Sequence, residues 1–133
     1  LKSEEVNIDR VPDDFKIYAG KRNVHIVLKN IIENAKKYSD YKNHPIEISF
    51  FDNKETISVE IKDFGEGIPE SAIDLIFEPF YRVDPSRNKE TGGYGLGMSM
   101  CKTIMELYGG SIDIESIVGQ YTKVVISFKK GSP

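Results

Sequence analysis

Asn30 and Asn34 stand one helical turn apart, with Lys37 three residues further on, inside a stretch (23–38) where Val24, Val27, Leu28, Ile31, Ile32 and Ala35 recur at helical spacing. At about 100° per residue the three polar side chains share a narrow arc at the edge of the apolar stripe. Two amides placed where a helix turns from core to surface can point into a cleft. An amide oxygen is a hard, neutral ligand suited to Mg2+ when phosphate oxygens and water complete the shell. Asn is also a poor interior helix former, so its presence asks for a further reason. The plainer alternative is a pair of ordinary exposed helical residues.

A second cluster is Asp63-Phe64-Gly65-Glu66-Gly67-Ile68-Pro69. Asp63 continues the alternation of Ile57, Val59 and Ile61, which turns its carboxylate toward a buried layer at a strand end. A carboxylate there needs strong hydrogen-bond donors, and the exocyclic amine of adenine is one. Gly65 and Gly67 would let backbone approach a flat ring, or they serve the turn alone. The Asp-Phe-Gly triplet also occurs in eukaryotic-type protein kinases, but no strand lysine or catalytic-loop motif precedes it here.

The third cluster, Gly92-Gly93-Tyr94-Gly95-Leu96-Gly97, opens a helical pattern. Glycines at a helix start leave N–H groups and the positive end of the dipole open to an anion. No Gly-Lys-Ser/Thr follows, so this is not a Walker A loop. It also lies away from any βαβ unit, which argues against a dinucleotide fingerprint. Between the glycine clusters runs Ile76-Phe77-Glu78-Pro79-Phe80-Tyr81-Arg82. Its aromatics read first as packing. Arg82 can bind a terminal phosphate bidentately.

The elements that must position these residues follow from periodicity. Ile46, Ile48 and Phe50, then Ile57, Val59 and Ile61, form a predicted antiparallel hairpin around the polar turn 52–55, with one buried face. A second hairpin pairs Ile112 and Ile114 with Val124, Ile126 and Phe128 around Gly119. Residues 6–8 and 15–18 are weaker strand candidates. Helices are expected at 23–38, 70–77 and about 96–108, the last with Leu96, Met100, Ile104, Leu107 and Tyr108 inward and Gly109-Gly110 as its stop. The stretch 83–94 has no periodicity and reads as a loop long enough to be a lid. The expected fold is α+β: a two-layer sandwich of a mixed, mainly antiparallel sheet with about three helices on one face.

Composition bounds the function. The chain has 133 residues, 39% hydrophobic and 29% charged, which fits one soluble domain. A net charge of −3 offers no footprint for nucleic acid or an anionic membrane surface. Cys101 is the sole cysteine, which fits a reducing compartment. No signal peptide or spanning segment is evident. The first residue is Leu, so the chain reads as a piece cut from a longer protein.

Order and spacing join the motifs. Asn30-Ile-Ile-Glu-Asn34-Ala-Lys-Lys37-Tyr38-Ser resembles the N box of sensor histidine kinases, and Asp63-Phe-Gly65-Glu-Gly67-Ile68 their first glycine box. Phe77-Glu-Pro-Phe80-Tyr-Arg82 resembles the F box, Gly93-Tyr94-Gly95-Leu96-Gly97-Met98 the second glycine box, and Gly119-Gln-Tyr-Thr122 a third. The resemblance spans essentially the whole chain and implies the Bergerat fold of the GHKL superfamily (gyrase, heat-shock chaperone, histidine kinase, MutL).

It also implies roles. Asn34 ligates Mg2+, supported by Asn30, while Lys37 and Tyr38 reach phosphate and the sugar side. Asp63 binds the adenine amine of ATP, with Thr122 helping through water. The second-box residues Gly93 to Met98 hold the phosphates, and Arg82 assists transfer of the terminal one. Gly65, Gly67, Ile68 and Phe80 complete the nucleotide site. Two positions depart from the pattern. Phe64 stands where Asn is usual, which bears on the polar network at the base, and Tyr94 stands where Thr or Ser is usual.

Hydrolysing members of the superfamily carry Glu at the position of Asn30, where it acts as general base on water. Asn30 cannot take a proton, and Glu33 lies about 100° around the helix from Asn34. Transfer to a supplied nucleophile is therefore favoured over hydrolysis. Neutral imidazole needs little base help. His25 and His44 lack the surroundings of a phosphoacceptor segment, so both read as surface residues. The expected arrangement is one catalytic domain, 1–133, whose acceptor histidine lies on a separate dimerisation domain and passes phosphate to a response-regulator receiver domain. A cytoplasmic location is expected. An ATPase or chaperone-type relative, and a nucleotide-binding module without transfer, are the alternatives.

Overall fold

The computed structural model describes residues 6–8, 21–79 and 97–129. Five strands form one sheet: β1 (Val6–Ile8), β2 (Ile46–Asp52), β3 (Thr56–Asp63), β4 (Ser111–Ile117) and β5 (Tyr121–Lys129), in the order β1-β2-β3-β5-β4. β1 runs parallel to β2 and the other pairings are antiparallel. The sheet is thus mixed and mainly antiparallel, as expected. The candidate strand at 15–18 and the candidate lid at 83–94 lie outside the described residues.

Alternation decides which way each strand faces, because successive side chains point to opposite sides. Ile57, Val59 and Ile61 stand opposite Phe128, Ile126 and Val124. Val124 and Ile126 in turn face Ile114 and Ile112. On the other side, Ile61 and Val59 face Ile48 and Phe50. These apolar rows make one face of the sheet. The opposite face is polar: Lys123 pairs there with Glu115 at 2.8 Å and Glu60 at 3.6 Å.

Two helices cover the apolar face, α1 (Lys21–Lys37) and α3 (Gly97–Leu107). Between them in sequence come a short α2 (Glu70–Ile73) and a 3-10 turn, Asp74–Phe77, where one helix was expected over 70–77. Val27, Ile31, Ile32 and Ala35 of α1 pack into the same core as Met98, Cys101 and Met105 of α3. Each fully buried aliphatic side chain there contributes about 1.5–3 kcal/mol on leaving water. Burial pushes the Cys101 thiol up to about 12, and its S–H points at the Val27 carbonyl, 3.7 Å away.

Three contacts fix how the helices run. Gly97 lies against Asn30, Cys101 against Val27, and the Asn23 amide donates to the Tyr108 hydroxyl at 2.8 Å. Ascending positions on α3 meet descending ones on α1, so the pair is antiparallel. The inward face of α3 differs in part from the expected one, with Ile104 packed against the core as expected. Met98, Cys101 and Met105 are buried, whereas Met100 and Leu107 are exposed, Leu107 by 74%. Its apolar residues span a broad half of the circumference, opposite Ser99, Lys102, Thr103 and Glu106, and contacts with α1 select one side of that half. Gly109, at φ +72°, ends it: its N–H donates to Glu106 and that of Gly110 to Met105, a Schellman closure that needs a left-handed residue.

Candidate functional site

The apolar rows of the sheet end in a polar one. Asp63 on β3 stands opposite Thr122 on β5, which stands opposite Ser116 on β4. Cross-strand partners point to the same face, so all three continue the helix-covered side. Asp63 and Thr122 are buried, at 6% and 8% exposure, the two buried polar or charged residues among those described. One oxygen of Asp63 accepts the Gly65 N–H at 3.0 Å. Burial dominates over that bond and pushes the Asp63 carboxyl up to about 6. Among the described residues the Gly65 N–H is its hydrogen-bond donor, and desolvation of the charged form outweighs that single bond.

The turn after Asp63 is clamped on two sides. The Glu66 N–H donates to the Tyr38 carbonyl at 3.2 Å, and the Glu66 carbonyl accepts from Gly119 at 2.7 Å. A Cβ on Gly65 would overlap the Tyr38 carbonyl, and one on Gly67 would sit 2.7 Å from Val118 Cα. Gly67 also has φ +77°. Both glycines are therefore required by protein backbone packed against the turn. The sequence left open whether these glycines admit a flat ring or serve the turn alone; the neighbouring backbone gives the second role a physical cause.

Sequence reasoning passed over Ser116. Its hydroxyl accepts from the Ile68 N–H at 2.8 Å, donates to the Tyr121 carbonyl at 2.7 Å and bonds Thr122 at 2.9 Å. The signal was present: Ser116 continues the inward parity of Ile112 and Ile114, as Asp63 continues that of Ile61.

Away from this row, beside the start of α3, the Asn30 amide donates through Nδ2 to the Ile26 carbonyl at 3.0 Å. That bond turns Oδ1 toward the start of α3, where a Cβ on Gly97 would stand 3.4 Å from it. Asn34 is half-buried one turn further along α1, about 6 Å beyond Asn30. Because the helices are antiparallel, Asn34 and then Lys37 lie past the N-terminus of α3. Met98 buries its side chain in the core, so only its backbone N–H is available to an anion. Tyr38 links the two ends, through its carbonyl at Gly65 and Glu66.

Asn30, Asn34, Lys37, Tyr38, Asp63, Gly65, Gly67, Ile68, Gly97, Met98 and Thr122 thus line one side of the molecule, with the helix start at one end and the buried carboxylate at the other. Phe80, Arg82, Gly93, Tyr94, Gly95 and Leu96 lie outside the described residues. Phe64 sits apart from the polar row: its ring lies 5.0 Å from the Lys62 ammonium, which is 4.5 Å from the Tyr121 ring, toward the open face of the sheet. Glu33, His25 and His44 are exposed. No helix among the described residues is long and apolar enough to cross a membrane.

The profile of the histidine kinase-, DNA gyrase B-, and HSP90-like ATPase family matches residues 20–132. The chain belongs to this family. Within it, the chain is 38% identical over 151 aligned positions to the signal transduction histidine-protein kinase ArlS of Staphylococcus haemolyticus, covering 97% of this chain and 33% of that protein. It is 35% identical to the sensor histidine kinase WalK of Bacillus subtilis, over 90% of this chain and 20% of that one. The chain therefore spans a third or less of these curated relatives. Among solved structures, the catalytic domain of histidine kinase ThkA superposes with a TM-score of 0.79 at 25% identity, over 96% of this chain and 82% of that one.

Proposed function

We propose that this chain is the ATP-binding catalytic domain of a two-component sensor histidine kinase. It holds Mg-ATP and donates the γ-phosphate to a histidine on a separate dimerisation domain, for onward transfer to a response-regulator receiver domain. The observation that carries this reading is the docking of Asn30 against Gly97. It places an amide, with no capacity to accept a proton, at the helix start where phosphates would sit.

The donor set fits an adenine nucleotide. Asp63 accepts one backbone N–H, from Gly65, and its carboxylate has further lone pairs that an exocyclic amine would match, while the N–H groups opening α3 match phosphate. A divalent cation fits less fully from protein alone. Among the described residues no cluster of three or more His, Cys, Asp or Glu could hold one. Asn34 would supply one amide oxygen, with phosphate oxygens and water as the remaining ligands. Mg2+ bound there would neutralise charge on the phosphate oxygens. In this reading Lys37 and Tyr38 contact phosphate and sugar, Phe80 belongs to the nucleotide site, the residues from Gly93 to Met98 hold the phosphates, and Arg82 assists transfer of the terminal one. The domain would work in the cytoplasm as one unit, with its acceptor histidine elsewhere.

Hydrolysis is the competing reading, since the family includes ATPases. It needs a base on water near the γ-phosphate. Asn30 cannot serve, and Glu33 is exposed on α1. To test the proposal, the protein is mixed with its upstream helical domain and labelled ATP. Acid-labile, base-stable phosphate on histidine is the expected product. Rapid release of free phosphate without that label would overturn the kinase reading.

A further inference from the structure

The hydrogen bonds of Ser116 have a direction that can be worked out. A hydroxyl has one proton to donate and two lone pairs to accept with. The Tyr121 carbonyl can only accept, so the Ser116 proton goes there. The Ile68 N–H can only donate, so it takes one lone pair of Ser116. The remaining bond, to Thr122 Oγ1 at 2.9 Å, must then run from Thr122 to Ser116. Thr122 has spent its proton, and what its oxygen can still offer is lone pairs.

Thr122 is the cross-strand neighbour of Asp63 on the same face. Asp63, when ionised, is likewise an acceptor only. The polar row therefore presents two acceptors side by side, and one of them is an acceptor only because of Ser116. Without Ser116 the Thr122 hydroxyl would be free to rotate and donate.

We propose that Ser116 is a positioning residue that sets nucleobase selectivity, by holding Thr122 as an acceptor so that the pocket takes a 6-aminopurine and rejects a 6-oxopurine. This rests on the adenine-nucleotide reading above. A 6-amino group brings donors to two acceptors. A 6-oxopurine puts an acceptor where the amine stood and keeps one donor nearby, the N1–H, so at least one of the two acceptors is left unsatisfied, which is how a site rejects an isostere. Ser116 also ties Ile68, in the turn after Asp63, to β4. A purely structural role would thus affect all nucleotides alike.

The test separates the two roles by comparing ATP with inosine triphosphate, which carries oxygen in place of the 6-amine, in calorimetric titrations. The unmodified protein should prefer ATP by about tenfold or more. In Ser116→Ala the preference should shrink to about threefold or less, with part of the loss appearing as better binding of inosine triphosphate relative to ATP. Ser116→Thr, which keeps the hydroxyl, should retain it. Should the alanine variant fail to fold, Ser116→Cys, whose thiol is a weak donor and acceptor, gives the same readout. If the variants lose affinity for both nucleotides equally, so that the ratio is unchanged, Ser116 is structural only and the proposal is overturned. Absence of ATP binding by the unmodified protein would instead sink the underlying nucleotide reading. A preference that vanishes in Asp63→Asn but persists in Ser116→Ala would keep that reading and reject this one.

Discussion

The Asn30 side chain and the Gly97 backbone meet across the antiparallel α1–α3 pair, with Asn30 Oδ1 3.4 Å from where a Cβ on Gly97 would lie. The helix start that suits an anion therefore has a neutral amide beside it, oriented by donation to the Ile26 carbonyl. Asn30→Asp keeps the size and changes the charge. The new carboxylate cannot donate to Ile26, and it would face the phosphates at close range. Mg-ATP affinity should fall by about tenfold or more, with thermal stability altered much less. An aspartate variant that binds Mg-ATP as tightly as the parent would show that the phosphates lie elsewhere.

Asp63 links function to stability in the opposite sense. Burial raises its carboxyl from an ordinary 3.8 to about 6. Between those values the folded protein binds more proton than the unfolded chain, so stability falls as pH rises through the window from about 4 to 6. Above it the ionised group costs at most about 3 kcal/mol, and removing it removes that cost. Asp63→Asn should therefore be more stable than the parent without nucleotide at pH 7.5, by about 1–3 kcal/mol, and gain little near pH 4. It should also lose its preference for adenine. Urea titrations at the two pH values decide this; an equal difference at both would show that charge burial is not the cause.

Much of this site could be read from the order of residues, and the limits were physical. Asp63 was legible because it extends the alternation of Ile57, Val59 and Ile61 with a charge that needs an explanation. Ser116 extends Ile112 and Ile114 in the same way, yet serine is tolerated almost anywhere, so parity alone did not mark it. The inward stripe of α3 was partly misplaced because Met98, Met100, Cys101, Ile104, Met105 and Leu107 span about half the helix circumference, opposite Ser99, Lys102, Thr103 and Glu106. Only docking on α1 chooses among them. Gly65 and Gly67 were visible as glycines, but the backbone that fills the space beside each comes from Tyr38 and from Val118, 27 and 51 positions away in the chain.

The metal assignment to Asn34 has its own signature. If its amide oxygen is the protein's ligand to Mg2+, Asn34→Ala removes the benefit of metal and leaves the contacts to the base. Chelation with EDTA should weaken ATP binding to the parent by about tenfold or more and leave the Asn34→Ala variant, already weakened, nearly unchanged. A variant as sensitive to EDTA as the parent would move the metal to another residue.

Gly67 and Gly119 let two costs be separated. Both hold positive φ, +77° and +81°. A Cβ on Gly119 meets nothing within 4 Å, whereas one on Gly67 would sit 2.7 Å from Val118 Cα. Gly119→Ala should therefore cost only the left-handed conformation, about 1–2 kcal/mol. Gly67→Ala adds displacement of the β4–β5 turn, which is bonded to Glu66 through Gly119. It should cost about 1–3 kcal/mol more than Gly119→Ala and also weaken ATP binding, because the turn it moves carries Asp63 and Ile68. Denaturation midpoints and ATP titrations on the two variants provide the check. Equal costs would mean that the turn yields freely, and that Gly67 is required for its backbone angle alone.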